Sequence, residues 1–323
     1  MDIETSLDLK KAPVLNGPRP CRPSEVTHWI RFLNGIFEYQ SPQSYGVDFA
    51  NLFESSNLKN SSLILGDNQI IASGSLLPHT VLTPLGNLNL GVIGAVATHP
   101  LFRRQGLSTW ILEILEAQAK ALGLDGVILW SDQNEFYTKR GYQMAGHQRL
   151  IPLRDLPQPR HGIEGTVTEG WNSAEIAALY AHHSMRVDRS PSYWQTLEGV
   201  TSCNRFQWID NTCTPSRCLA YVGIDRGKDM VNVIHEWGGD RVALYQLVAA
   251  LVKRWPDLVW MTHPRLHDPV GDLAAAPQRR DGLEGLPTTH LALCKQFKPL
   301  SADAQTELNE KLEYLWFWGL DSA

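Results

Sequence analysis

The chain has 323 residues, enough for two domains of ordinary size, and carries 29 Lys plus Arg against 34 Asp plus Glu for a net charge of −5. These charges are scattered rather than run together, which argues against nucleic acid as a partner and leaves room for a cationic substrate. Five cysteines without a Cys-x-x-Cys spacing suggest neither a disulfide framework nor a metal site; with no signal-peptide start and no apolar run of membrane-spanning length, a soluble cytoplasmic protein is expected.

In chain order, a polar start gives way to a predicted strand over 18–22. Ser24 then stands as the cap of a helix whose apolar face is Val26, Trp29, Ile30, Phe32, Leu33 and Phe37, and a second short helix is predicted within 45–52. Residues 62–66 and 69–75 read as strands joined at Gly66-Asp-Asn68, a hairpin signal. A longer strand runs through Val81, Pro84-Leu-Gly86 makes a turn, and a further strand contains 95–98.

The stretch from Gly91 to Ser108 is the most informative in the chain. An apolar strand stops at Pro100, crosses the basic turn Arg103-Arg104-Gln105-Gly106, and enters a helix whose apolar positions are Leu107, Ile111, Leu115 and Leu122. Backbone N–H groups at a helix start have no intrahelical partner and lie at the positive end of the helix dipole, so such a turn is suited to an anion. Arg103 and Arg104 add charge, and Gly106 allows close backbone approach. A short buried strand follows at 127–130, then Phe136-Tyr137-Thr-Lys-Arg-Gly-Tyr142, a turn of helix ended by Gly141.

Strand, Arg103-x-x-Gly106-x-Ser108, helix, strand, then Phe136-Tyr137-x-x-x-Gly141-Tyr142 closely resembles the acyl-CoA core of the GCN5-related N-acetyltransferase (GNAT) superfamily. The family usually ends the first motif in Gly or Ala; here Ser108 stands there, a small residue suited to an N-cap. The resemblance implies an α/β (α+β) fold with a mixed, mostly antiparallel sheet flanked by helices, and acetyl-CoA as co-substrate without a metal. It assigns the pantetheine arm and acetyl oxygen to backbone groups of Val96, Ala97 and Thr98, and the pyrophosphate to Arg103, Arg104, Gln105, Gly106, Leu107, Ser108 and Thr109. Tyr137 aligns with the family's general acid toward the leaving thiolate, a role a phenol with pKa near ~10 suits. Asn134 or Ser131 is implied against the CoA arm. For the base, Glu38, His99 and Glu135 are candidates by position alone. His182 and His183 point in different directions on a helix and read as surface or packing residues.

Near residues 153–162 the composition shifts to proline and charge, which marks a boundary. A second cycle follows: a helix capped by Asn172, a helix over 192–198, strands at 206–209, 218–224 and 231–237, a helix over 242–255, and strands at 258–262 and 289–296. This repeats the first half, so the expected organisation is a GNAT domain over 1–152 that binds acetyl-CoA, a degenerate one over 160–299, and a C-terminal helix and tail over 300–323. The second half passes from Gly238-Gly-Asp240 straight into its helix without a basic turn, and Asp240 would repel phosphate, so a single CoA site is expected.

Two such domains and a tail look like the tandem acetyltransferases related to the enhanced intracellular survival (Eis) aminoglycoside acetyltransferases. Those add a sterol-carrier-like domain; none is expected here, so aminoglycoside specificity is not implied. Residues 301–318 predict a helix with Leu308, Leu312, Leu315 and Trp316 on one face, stopped by Gly319. In the bland account this tail seals the face between the halves. In the account that the resemblance implies, the tail reaches the active site, where Asp321 or the Ala323 carboxylate meets the substrate ammonium.

The expected function is acetyl transfer from acetyl-CoA to a small-molecule amine in a ternary complex, with neither nucleic acid nor membrane as partner. Two rivals are a CoA-binding protein without turnover and an aminoacyl-tRNA-dependent transferase, the latter disfavoured by the basic turn and the negative net charge.

Overall fold

The computed structural model describes residues 13–154, 156–159, 162–266, 270, 288–297 and 301–322. Strand β1 (Leu15–Arg19) leads through a 3-10 turn, Pro23–Glu25, into α1 (Val26–Ile36) and the short α2 (Tyr45–Asp48). Ser24 is not the helix cap. Glu25 closes the turn instead, its carboxylate accepting the Arg22 N–H at 2.9 Å and pairing with Arg19 at 2.6 Å. Strands β2 (Ser61–Gly66) and β3 (Gln69–Thr83) form the expected hairpin, with Asp67 and Asn68 at φ 46° and 68°, the left-handed pair such a turn needs. Next come β4 (Gly86–Thr98), α3 (Leu107–Ala121), β5 (Gly126–Leu129), α4 (Asn134–Thr138) and β6 (Gln143–Pro152).

The second half contains β7 (Thr166–Glu169), α5 (Ser173–Tyr180), β8 (Arg186–Val187), α6 (Pro191–Glu198), β9 (Asn204–Asp210), β10 (Arg217–Ile224), β11 (Val233–Gly239), α7 (Arg241–Arg254), β12 (Val259–Thr262) and β13 (Thr289–Gln296). Strands β7 and β8 are short and half-polar, and no periodicity announces them. Asn172 does cap α5, accepting the Ala174 and Glu175 N–H groups.

The strands join into one sheet in the order β1-β2-β3-β4-β5-β13-β6-β12-β11-β10-β9-β7. Each half holds one parallel pair, β4 with β5 and β11 with β12, closed by the crossover helices α3 and α7. The order is not that of two separate sheets. Strand β13 lies antiparallel between β5 and β6, while β6 lies antiparallel beside β12, so each half's parallel strand is flanked by an antiparallel strand from the other part of the chain. Glu116 of α3 fixes this exchange from below, accepting from Tyr142 Oη at 3.0 Å and from Lys295 Nζ of β13 at 2.6 Å.

The last helix, α8 (Ala302–Leu312), ends well before Trp318, and Gly319 does not stop it. The chain beyond it is buried: Leu315, Trp316, Trp318, Leu320 and Asp321 are all 0% exposed. It packs on both halves, with Phe317 edge-on to Trp130 and Trp318 against Trp237, while Trp318 Nε1 donates to the Met185 carbonyl at 3.2 Å. Gly319 is needed for space, since a Cβ there would lie 2.2 Å from His235 Nδ1. Among the described residues no helix is long and apolar enough to cross a membrane.

Candidate active site

Pairing of β4 with β5 stops at Val92↔Ile128, yet β4 continues to Thr98. Residues 93–98 therefore have no strand on the β5 side, and 93–98 instead line a cavity of 1090 Å³. Unpaired backbone groups at such an edge need partners from elsewhere. The strand also bulges here: Ser73 pairs with Ala97 and Ser75 with Gly94, so Ala95 and Val96 face Gly74 alone. Ala95 takes φ 54°, in the left-handed region. Two side chains replace what the ladder loses, because Tyr45 Oη accepts the Ala95 N–H at 3.1 Å and Ser73 Oγ donates to the Ala95 carbonyl at 2.9 Å.

At the end of β4, His99 Nδ1 accepts the Leu101 N–H, and Arg103 Nε donates to the Thr98 carbonyl at 3.4 Å. Arg104 and Gly106 have φ 62° and 79°, which curls the turn into a concave run of N–H groups. Gly106 precedes α3 with no side-chain cap, so the helix start is left to whatever enters the cavity. A Cβ at Gly106 would meet no atom within 4 Å. Arg140 closes the far side: it reaches Thr109 Oγ1 and the Phe136 carbonyl, each at 2.6 Å, and stacks 3.6 Å from the Phe136 ring centroid. Its Nε is buried without a hydrogen-bond partner. Open N–H groups at a helix start, Arg103 and Arg104 on the turn and a spare guanidinium N–H are a donor set that fits a pyrophosphate.

Tyr137 stands opposite, buried between Phe136 and Tyr142 and lining the same cavity. Burial pushes its phenol above the usual value, against the Arg140 charge and a hydrogen bond with Ser131, while Asp132 adds to the rise. Tyr137 is thus held protonated at neutral pH, a proton donor beside the splayed strands.

The profile of the acetyltransferase (GNAT) domain matches residues 18–145. That segment is similar to GNAT acetyltransferase domains. An amino-acid acetyltransferase of Azotobacter vinelandii is 31% identical over 94 residues, which is 29% of this chain, and the chain spans only about a fifth (20%) of that relative. Among solved structures, Eis1 from Mycobacterium abscessus superposes with a TM-score of 0.55 at 13% identity over 88% of this chain and 72% of that one. A tandem GNAT protein from the clavulanic acid biosynthesis pathway does so with 0.52 at 10% identity, over 89% of this chain and 100% of that one. At such identities the likeness is one of fold, and it extends across both halves.

Of the residues expected at the site, Val96, Ala97, Thr98, Arg103, Arg104, Gly106, Leu107, Ser108, Thr109, Ser131 and Tyr137 converge on the cavity. Gln105 and Asn134 are not among the lining residues; both are exposed, and Gln133 occupies the place expected of Asn134. Ser108 is not the N-cap. It lies one residue inside α3, where its hydroxyl pairs with Thr98 Oγ1 at 2.8 Å and ties the helix to the end of β4.

The substrate-side expectations fare differently. Glu38 is exposed outside the cavity lining, Glu135 pairs with Lys139 at 2.5 Å in solvent, and His99 is spent on its turn. Asp321 is a correction: it is fully buried and taken by Arg189, whose Nε donates to Oδ1 at 2.8 Å while the same guanidinium pairs with Glu236 at 2.9 Å. A carboxylate so engaged is a structural anchor. Ala323 lies outside the described residues. His183, as expected, is a packing residue, its Nε2 donating to the Trp237 carbonyl at 2.8 Å and its ring lying 4.3 Å from the Trp318 ring centroid.

Sequence reasoning missed Arg140, although it sits within the quoted aromatic motif, just past the end of α4 and folded back over the Phe136 ring. It also missed Tyr45, whose partner Ala95 is fifty positions away, and the pair Lys228 and Asp229, which line the cavity from the second half. No local pattern marks these.

Proposed function

We propose that the protein is an acetyl-CoA-dependent N-acyltransferase that moves the acetyl group directly to a small-molecule amine in a ternary complex. The observation that carries this reading is the opening of β4 from β5 at a bulged Ala95, into one cavity shared by the uncapped start of α3 and the Tyr137 phenol. The turn from Arg103 to Thr109, with Arg140, would hold the pyrophosphate of acetyl-CoA. The free edge over 96–98 would offer backbone groups to the pantetheine arm and to the thioester oxygen as charge builds on it.

In the transfer, the amine nitrogen attacks the thioester carbonyl carbon, a C–N bond forms, and the C–S bond breaks. The leaving thiolate takes the Tyr137 proton, and the proton lost by the amine returns to the phenol through water. Holding both reactants in one cavity replaces a bimolecular encounter with an oriented one.

The test is calorimetry with acetyl-CoA followed by thiol release on addition of amines. Binding with amine-stimulated thiol release supports the reading. Binding without release from any amine identifies a CoA-binding protein without turnover, and absence of binding revives the aminoacyl-tRNA-dependent transferase.

A further inference from the structure

The cavity has two ends of different character. One is the basic turn already described. The other is an aromatic wall built around Tyr45, whose hydroxyl holds the Ala95 bulge: Phe37 stacks on it at 5.0 Å, Phe49 lies at 4.5 Å and Tyr39 at 5.8 Å. This wall comes from α1, α2 and the turns beside them. Its outer rim comes from the second half, as Lys228 and Asp229 of the loop between β10 and β11.

That loop is pinned in place. Arg226 is buried beneath it, donating to the Asp48 carbonyl and to the Ser322 carbonyl, each at 2.9 Å, and lying 4.7 Å from the Phe49 ring. Asp225 accepts the side chain of Asn204 at 2.8 Å and the Asn232 N–H at 2.6 Å, which closes the loop on itself. Its two exposed charges are therefore presented by a fixed backbone.

The two charges are not equivalent. The Lys228 ammonium is turned onto the wall, donating to the Phe37 carbonyl at 3.2 Å and lying 5.9 Å from the Tyr39 ring. Among the described residues no cation pairs with Asp229; burial raises the phenols of Tyr39 and Tyr45, and the charges of Asp48 and Asp229 add to the rise. At this end of the cavity a wall of ring faces thus leads from the bulge to a carboxylate without a partner. Ring faces accept an apolar chain or a cation, and a carboxylate at the rim of a partly desolvated slot favours a cation.

Building on the proposed acyl transfer, we infer that the acceptor is an amine carrying a second, distal cationic group, with Asp229 as the residue that selects it. The reacting amine lies at the Ala95 bulge, its apolar spacer lies along Phe37, Tyr45 and Phe49, and the distal ammonium pairs with Asp229. The second half, which has no CoA turn of its own, would thereby determine acceptor specificity.

A series of linear diamines, each compared with the monoamine of the same chain length, tests this by thiol release from the full chain. The expected result is a kcat/KM preference of about fivefold for the best diamine, the upper end of what one exposed ion pair supplies. Asp229→Asn brings that ratio close to one, and Asp229→Glu restores most of it. Equal rates for diamine and monoamine, or a preference that survives Asp229→Asn, overturn the inference while leaving acyl transfer intact. Should no amine release thiol, calorimetry of the same diamines on the protein saturated with CoA decides: binding weakened about fivefold by Asp229→Asn supports the inference, and absent or unchanged binding overturns it. Failure of acetyl-CoA itself to bind overturns both readings.

Discussion

The two crossover helices begin alike in topology and differently in chemistry. Helix α3 starts from Gly106 with no side-chain cap, whereas α7 starts from Asp240, whose carboxylate accepts the Val242 and Ala243 N–H groups at 2.9 and 3.0 Å. The first half thus leaves its helix start open toward a cavity, and the second closes its own with a negative charge. A helix N-terminus can stabilise the fold or bind an anion, and a residue that satisfies the free N–H groups commits it to the first. The same division runs further. The second half spends its buried charges on structure, Arg189 on Glu236 and the tail's Asp321, Arg226 on the Asp48 and Ser322 carbonyls, and supplies much of the bed for the aromatic tail.

The sharpest way to break the packing of the tail, and with it the structural role of the second half, is acid. Four histidines pack on successive tail residues, His263 on Trp316, His79 on Phe317, His183 on Trp318 and His235 beside Gly319. Burial pushes each of them down to about 4. Folded rings stay neutral where unfolded ones, with pKa near ~6.5, take up protons, so their contribution is complete above that pH and is lost as pH falls toward 4. Each ring costs up to roughly 2 kcal/mol at pH 5. Thermal melts between pH 7.5 and 5 followed by tryptophan fluorescence should show a falling midpoint with uptake of several protons; a flat profile over that range would refute the packing assigned to the tail.

The open helix start is next. Gly106→Asp places a carboxylate where N–H groups face the cavity, and acetyl-CoA affinity should fall at least about 100-fold, roughly 2.7 kcal/mol. The site has room for a side chain, and Asn and Asp tolerate a positive φ better than most residues, so the fold should survive. Gly106→Asn separates shape from charge and should lose far less. Near wild-type affinity of the Asp variant in calorimetry would remove the anion site from this turn.

Tyr137→Phe is expected to keep acetyl-CoA affinity and lower kcat about 100-fold, as for a donor acting mainly in the transition state. Because burial raises the phenol, that deficit should be the same from about pH 6 to 9, with no ionisation of Tyr137 entering the profile. An unchanged kcat would make Tyr137 a packing residue.

The smallest effect belongs to the closed helix start. Asp240→Ala should cost about 1 kcal/mol of stability, a shift of only a few degrees in Tm, with acetyl-CoA binding untouched. A change in CoA affinity would mean that the two helix starts are not independent.

Much of the first half was legible because its signals are local. The Gly66-Asp-Asn68 turn and the apolar face of α3 each declare themselves within a few residues, as does the basic turn before Gly106. Where the reading slipped, a longer-range contact had outbid the local rule. Ser24 lost the cap to Glu25, which Arg19 holds, and Ser108 lost it to Gly106 because Thr98 takes its hydroxyl. The predicted helix to Trp318 stops at Leu312 because four bulky residues after it gain more by burial between the halves than by continuing a surface helix.

By itself, the sequence determined the order of most elements, the likeness of the first half to a GNAT core, and most of the side chains that line the basic end of its cavity. Those follow from periodicity, turn chemistry and spacing, all short-range properties of the chain. Tertiary structure alone decided that β13 lies between β5 and β6, that Asp321 belongs to Arg189, and that Lys228 and Asp229 stand at the rim of a cavity built mostly by the other half. Strand order and buried charge pairing depend on which surfaces meet across a hundred or more residues, and no local pattern in the sequence encodes that meeting.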